Sequence, residues 1–186
     1  MSVKIHVMLG VLGFFGLSAC QSTGVKTGYY SNPVSKGAEL ELVETLQVPA
    51  GLARVYLQAG EIQRYGQIDQ YRPFCFFLMR DPAPLARDIQ PAVFVIRSVN
   101  LREQDVRIAM PVRLAHAGLF GGSDGPGVIS YETHMLLNAA GQSDPERLVC
   151  SGAFASPSEA APIRLAQMRQ ALGSRVVVRV PGSVGH

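Results

Sequence analysis

The chain has 186 residues, of which 47% are apolar, with three Cys and no Trp. That is material for one domain with a real core. Its formal charge of +3 is confined to one end: Lys4, Lys26 and Lys36 all precede residue 39, and from Glu39 onward 14 Arg face 14 Asp plus Glu. The body is therefore formally neutral and has no run of clustered basic side chains, which excludes a nucleic-acid footprint.

The first residues read as a targeting segment rather than as part of the fold. Met1-Ser2-Val3-Lys4-Ile5-His6 carries one Lys, and Val7 to Ala19 is a run of thirteen uncharged residues rich in Val, Leu, Phe and Gly. A membrane-spanning helix needs about 20 apolar residues, so this run has the length of the apolar region of a secretory signal. It ends in Leu17-Ser18-Ala19-Cys20-Gln21. Leu, then Ser, then Ala, then Cys resembles the lipobox of bacterial lipoprotein precursors. The resemblance implies that residues 1–19 are removed as a signal peptide and that the Cys20 thiol is alkylated with diacylglycerol. In many Gram-negative bacteria the new amine is acylated as well. Gln21, where Asp would tend to retain the protein at the inner membrane, implies the outer membrane and its periplasmic face. One acyl chain holds marginally, at ~0.8 kcal/mol per buried methylene, whereas two or three on one residue anchor the protein for practical purposes permanently.

Residues 20–38 read as the lipidated Cys20 followed by a flexible tether of small and polar residues, with an r.m.s. span of roughly 23 Å. Residues 39–186 read as a single β-rich periplasmic domain. In Glu39–Val48 the apolar side chains Leu40, Leu42, Leu46 and Val48 take the even positions, with Glu44 the exception. Val55 and Leu57 alternate with Arg54, Tyr56 and Gln58, and Ala59-Gly60 separates them from Glu61–Tyr65 as a tight hairpin. Phe74–Met79 is continuously apolar, the pattern of a central strand covered on both faces. Ala92–Val99 is a further strand. Val106, Ile108, Met110, Val112 and Leu114 form another stripe, with Pro111 marking an edge or bulge. Ile129, Tyr131, Thr133, Met135 and Leu137 form the next, and short strands follow at Arg147–Ser151 and Arg175–Val180.

One helix interrupts the series. Ser156-Pro157-Ser158-Glu159 has the spacing of a capping box, but Pro162 disfavours a helix running straight through. The main helix therefore starts near Ala161, carries the stripe Ala161, Leu165, Met168 and Leu172, and ends at Gly173. The expected fold is mainly β: an antiparallel β-sandwich or partly closed barrel with one C-terminal helix.

Cys75 and Cys150 remain to be placed. The chain has no C-x-x-C and no H-E-x-x-H, so no redox or zinc motif is read from it. The export signal puts both thiols in an oxidising compartment, where paired thiols become a structural disulfide; two separate buried thiols are the alternative. Gly121-Gly122-Ser123-Asp124-Gly125 matches the G-x-S-x-G of serine hydrolases, in which the Ser sits between a strand and a helix. Here a strand pattern follows Pro126-Gly127, so a Gly-rich loop is the plainer reading. Glu132 and His134 share one face of their strand and could orient a general base or hold a metal, with His116 or Asp124 as a third partner. A solvated outer face of a half-exposed strand is the plainer reading of them. The polar-aromatic stretch Tyr65 to Arg72 could line a binding surface or simply turn the chain into the buried strand at Phe74. YLQAGEIQRYGQIDQYRPFC, residues 56–75, resembles segments of uncharacterised Gram-negative envelope lipoproteins, a likeness that carries no activity with it.

The sequence thus predicts a protein held at the membrane through Cys20 and acting by binding an envelope protein partner, with no cofactor, metal or catalytic residue assigned. The alternatives are a periplasmic hydrolase using Ser123, or a metal near His116 and His134, and a small-molecule or lipid carrier with its ligand inside a barrel.

Overall fold

The computed structural model describes residues 34–106 and 127–181, apart from 140 and 143. The lipobox, Cys20, residues 21–33, the stripe from Ile108 to Leu114, and His116, Ser123 and Asp124 lie outside the described residues.

Among the described residues, ten strands and two short helices follow in order: β1 (Glu39–Leu42), β2 (Leu46–Val48), β3 (Arg54–Gln58), β4 (Glu61–Gln63), a 3-10 turn at Tyr65–Gln67, β5 (Phe74–Leu78), β6 (Arg87–Ile89), β7 (Ala92–Val106), β8 (Val128–Asn138), β9 (Arg147–Ser151), α1 (Leu165–Leu172) and β10 (Val176–Arg179). Eight of the strands make one antiparallel sheet, ordered β10-β1-β7-β8-β9-β5-β3-β4, which curls into a half-barrel. Of the two expected architectures, this is the partly closed barrel. β2 and β6 pair separately.

The alternation explains the curl. Even-numbered Leu40 and Leu42, odd-numbered Val55, Leu57, Cys75 and Phe77, and Met135, Leu148 and Cys150 all point into one buried cluster on the inner face. Leu46, Val48 and Ile89 from the β2–β6 pair join the same cluster, as do Met168, Ala171 and Leu172 of α1. Burying a side chain of this size is worth about 1.5–3 kcal/mol, and the curl lets one inner face supply most of that burial. β5 lies between β9 and β3 and is covered on both sides, as its continuous apolar run predicts. Phe77 and Cys75 face inward, while Phe74 and Phe76 enter a second, outer cluster with Tyr56, Ile68 and Val149.

The structure revises several element boundaries. The expected strand Glu39–Val48 is two strands, because the chain breaks at 43–45, where Glu44 leaves to pair with Arg175. Ala92–Val99 is the first part of a single long strand reaching Val106, with a bulge between Ile96 and Ser98. The bulge flips the inward parity, so that Phe94 and Ile96 face the core before it while Val99 pairs with inward Met135 after it. The box at Ser156 forms only a single turn: the Ser156 hydroxyl donates to Glu159 Oε2 at 2.9 Å, and the helix itself waits until Leu165.

The open edges of the half-barrel are tied together. The Ala59-Gly60 turn has positive φ at both residues, as a two-residue hairpin with this twist requires. Gly60 N–H donates to the Ala171 carbonyl at 3.0 Å. The Arg175 guanidinium donates from Nε to the Gly60 carbonyl at 2.9 Å and is ion-paired to Glu44 and Glu61. The β3–β4 hairpin is thereby fastened to the end of α1 and the start of β10, at the opposite edge of the sheet.

Candidate functional site

A broad concavity lies at the β3–β4 edge and follows from how short β4 is. β4 pairs with Tyr56, Leu57 and Gln58 of β3 and stops there, and the chain then turns away through the 3-10 segment at Tyr65–Gln67. Arg54 and Val55 continue β3 beyond the end of β4. The result is a groove of about 1060 Å³, large enough for a small ligand or a stretch of chain. Its walls are the 49–54 segment, β3, the end of β4 and the 3-10 turn, with Pro82 at one rim.

Its chemistry is amphipathic. Leu52, Ile62 and Tyr65 are exposed by 51%, 45% and 61% around this one concavity, so the patch is not the scatter of single apolar residues seen on any surface. Gln47, Gln63 and Gln67 supply amide donors and acceptors, and Arg54 and Arg64 supply positive charge, with no Asp or Glu in the lining. Arg54 is held in place. Its guanidinium sits 5.0 Å above the Phe76 ring, a cation–π arrangement, and its Nη1 donates to the Tyr56 hydroxyl oxygen at 3.4 Å.

The aromatic wall is rigid for a traceable reason. Tyr56 is buried, packs on Phe76 with ring centroids 5.1 Å apart, and meets Tyr65 at 5.5 Å. The loop that presents Tyr65 is pinned downstream: Gln58 Nε2 donates to the Asp69 carbonyl at 2.9 Å and Gln58 Oε1 accepts from Asp69 N–H at 3.0 Å. Ile68 of that loop enters the outer aromatic cluster. Residues Tyr65 and Gln67 of the polar-aromatic stretch thus line the groove, while Asp69 and Tyr71 serve the loop that carries it. The sequence reading did not single out Leu52, Arg54 or Ile62. The available signal was an apolar Leu directly after the turn residues Pro49-Ala50-Gly51.

A second candidate lies on the outer face of β8. His134 Nε2 and Glu132 Oε2 are 2.9 Å apart, with side-chain exposures of only 12% and 18%, so this is not a solvated face. His134 Nδ1 is buried without a hydrogen-bond partner among the described residues. A carboxylate fixing an imidazole is the orienting half of a general-base arrangement. The neighbouring hydroxyls do not complete it: Ser130 and Ser151 are buried, 3.3 Å from each other, and Ser151 donates to the Gly152 carbonyl. His116 and Asp124, either of which was expected as its third partner, and Ser123 of the G-x-S-x-G stretch lie outside the described residues. No group of three or more His, Cys, Asp or Glu able to hold a metal occurs among the described residues.

Cys75 and Cys150 are disulfide-bonded. They are directly opposed partners on β5 and β9, with Cα atoms 4.0 Å apart and both side chains buried in the inner cluster. Among the described residues no helix is long and apolar enough to cross a membrane. No family model, curated protein or solved structure matches the chain.

Proposed function

We propose that the chain is a lipoprotein held by Cys20 in the outer membrane, its β domain facing the periplasm, and that it acts by binding another envelope protein through the β3–β4 groove. The observation that carries the binding role is the groove itself: a rigid aromatic wall, half-exposed apolar side chains and two arginines converge on one concavity. Binding sites have this composition, with an apolar lining and a few placed polar groups. The lipobox supports the anchor. The Cys75–Cys150 bond supports an exported domain, because such bonds persist in oxidising compartments.

The test has two arms. In cells fed labelled fatty acid, the wild-type chain takes up label and fractionates with the outer membrane, while Cys20→Ser does neither; normal labelling of that variant sinks the anchor. A photo-crosslinking residue at position 65 captures an envelope protein, whereas one at exposed Val93, on the far part of the sheet, does not. Equal capture at both positions removes the groove from the function.

The Glu132–His134 hydrogen bond favours a second reading, a periplasmic hydrolase in which His134 is the base and Ser123 the nucleophile. The alanine variants of His134 and Ser123 decide between the two. Under the binding reading both keep the crosslink at position 65 and the cell-envelope phenotype. Loss of the phenotype with the crosslink retained transfers the function to the hydrolase. For a carrier, space for a ligand lies in the surface groove, because Phe77, Phe94, Met135, Leu148 and Met168 occupy the interior of the half-barrel.

A further inference from the structure

We propose that the groove receives an extended segment of another polypeptide, added along the β3 edge, with an acidic side chain of that segment held by Arg54 and Arg64. The inference rests on the binding role above and names the chemistry of the partner.

The first observation is an open strand edge. Along a strand, backbone polar groups point alternately to the two sides. The Ala53 carbonyl accepts from Met79 N–H at 2.8 Å, on the β5 side. Tyr56 and Gln58 pair with Gln63 and Glu61 on the β4 side. The alternation therefore turns the N–H and C=O of Arg54 toward the groove, one register beyond the last β4 pair. An unpaired strand edge is a template for a further strand, and an incoming chain that satisfies these groups is a recognised mode of peptide capture. The slot it would enter is the one that a longer β4 would have filled.

The second observation is charge. Arg54 and Arg64 line the groove, no carboxylate does, and neither arginine has an ion-pair partner among the described residues, unlike Arg87, Arg147, Arg175 and Arg179. Arg54 is already oriented by Phe76 and Tyr56, so little side-chain freedom is lost when a carboxylate docks. Arg is suited to such a contact by its planar fork of donors. Next to the charges, Leu52, Ile62 and Tyr65 offer apolar contact to the alternate side chains of an extended chain. The glutamines at 47, 63 and 67 match a peptide backbone, which needs donors and acceptors together, better than an acyl chain, which needs neither. A lipid surface is also a poor geometric match, because the apolar groups line a hollow rather than crown a protrusion.

The test uses the full chain purified in detergent as bait for a phage-displayed library of random decapeptides. Selection yields sequences carrying an acidic residue among alternating apolar ones. Arg54→Gln and Arg64→Gln each weaken the best synthetic peptide by roughly tenfold or more, the usual size of a charge-assisted hydrogen bond, and the double reversal to Glu abolishes the preference for acid. Methylating peptide nitrogens one at a time disrupts binding at the position that pairs with Arg54 and spares its neighbours. Retention of the Cys75–Cys150 bond and of the melting temperature shows that each variant is folded, and Arg72→Gln, outside the groove, serves as the reference. Failure to enrich any peptide, enrichment without acidic residues, or indifference to the charge reversal each overturns the proposal. So does a position-65 crosslink that lands on phospholipid. A position-65 crosslink to a protein that persists after any of the first three results leaves the partner-binding role standing and removes only the acidic strand.

Discussion

Two glycines decide whether the half-barrel can be fastened shut. Gly60 and Gly173 approach so closely that a Cβ built on Gly173 would lie 2.4 Å from the Gly60 Cα, and the obstructing atoms are backbone, not a side chain that could swing away. Gly173 also has φ +63° and ψ −146°, a region that residues with a Cβ enter at a cost of order 1–3 kcal/mol. The expected outcome is that Gly173→Ala lowers unfolding stability by about 2 kcal/mol or more. Gly66→Ala, where a Cβ would meet nothing within 4 Å and φ is not positive, should stay within about 0.5 kcal/mol, as ordinary surface changes do. Urea denaturation of both variants checks this. Equal stabilities would mean that the contact between the hairpin turn and the helix end does not hold the edges together. The helix end itself was legible, since Gly after an apolar stripe is the usual stop signal. The reason this position tolerates nothing else was not, because its constraint comes from a residue 113 positions earlier in the chain.

Individual elements were legible to the degree that their own side chains determine them. β5 announces itself because Phe74, Phe76 and Phe77 need cover on both faces, and β9 appears at its expected bounds, Arg147–Ser151. The alternation Leu40, Leu42, Leu46, Val48 survives as a set of inward residues, although the strand that carries it is broken in two. The break depends on Arg175, far away in the chain, which draws Glu44 out of line. β7 shows a different failure. A bulge is one extra residue, and it reverses which parity faces the core, so a period-2 reading loses the strand at the point where it continues. β6 could not be found, because Arg87-Asp88-Ile89 offers a single inward side chain. The groove was half visible. Tyr65 and Gln67 stood out as a polar-aromatic cluster, but Leu52 and Arg54 become site residues only because β4 ends at Gln63, and no periodicity in the sequence reports where a strand stops pairing. The Glu132–His134 pair was placed on one face correctly. Its burial was not foreseen, since a strand's own alternation does not say what covers its outer side.

At the scale of the molecule, one covalent bond joins the centre of the sheet to itself. Cys75 and Cys150 are 75 positions apart, and β6, β7 and β8 lie between them in the chain. Pairing β5 with β9 therefore demands closure of a long loop, which is where a crosslink removes most freedom from the unfolded chain. The chain-entropy account gives roughly 4 kcal/mol for a loop of this length, a large share of the ~5–15 kcal/mol that holds a typical domain. Both side chains are fully buried in the inner cluster, so alanine is the cleaner replacement, as it leaves no buried hydroxyl without a partner. Cys75→Ala and Cys150→Ala should each lower the melting temperature by a similar amount, and the double variant should fall no further, because all three lack the same bond. Alkylation of the denatured, non-reduced protein should label neither position. Losses that add in the double variant would assign the stability to the packing of each side chain, and labelling at either residue would show that the bond is not closed in the protein as isolated.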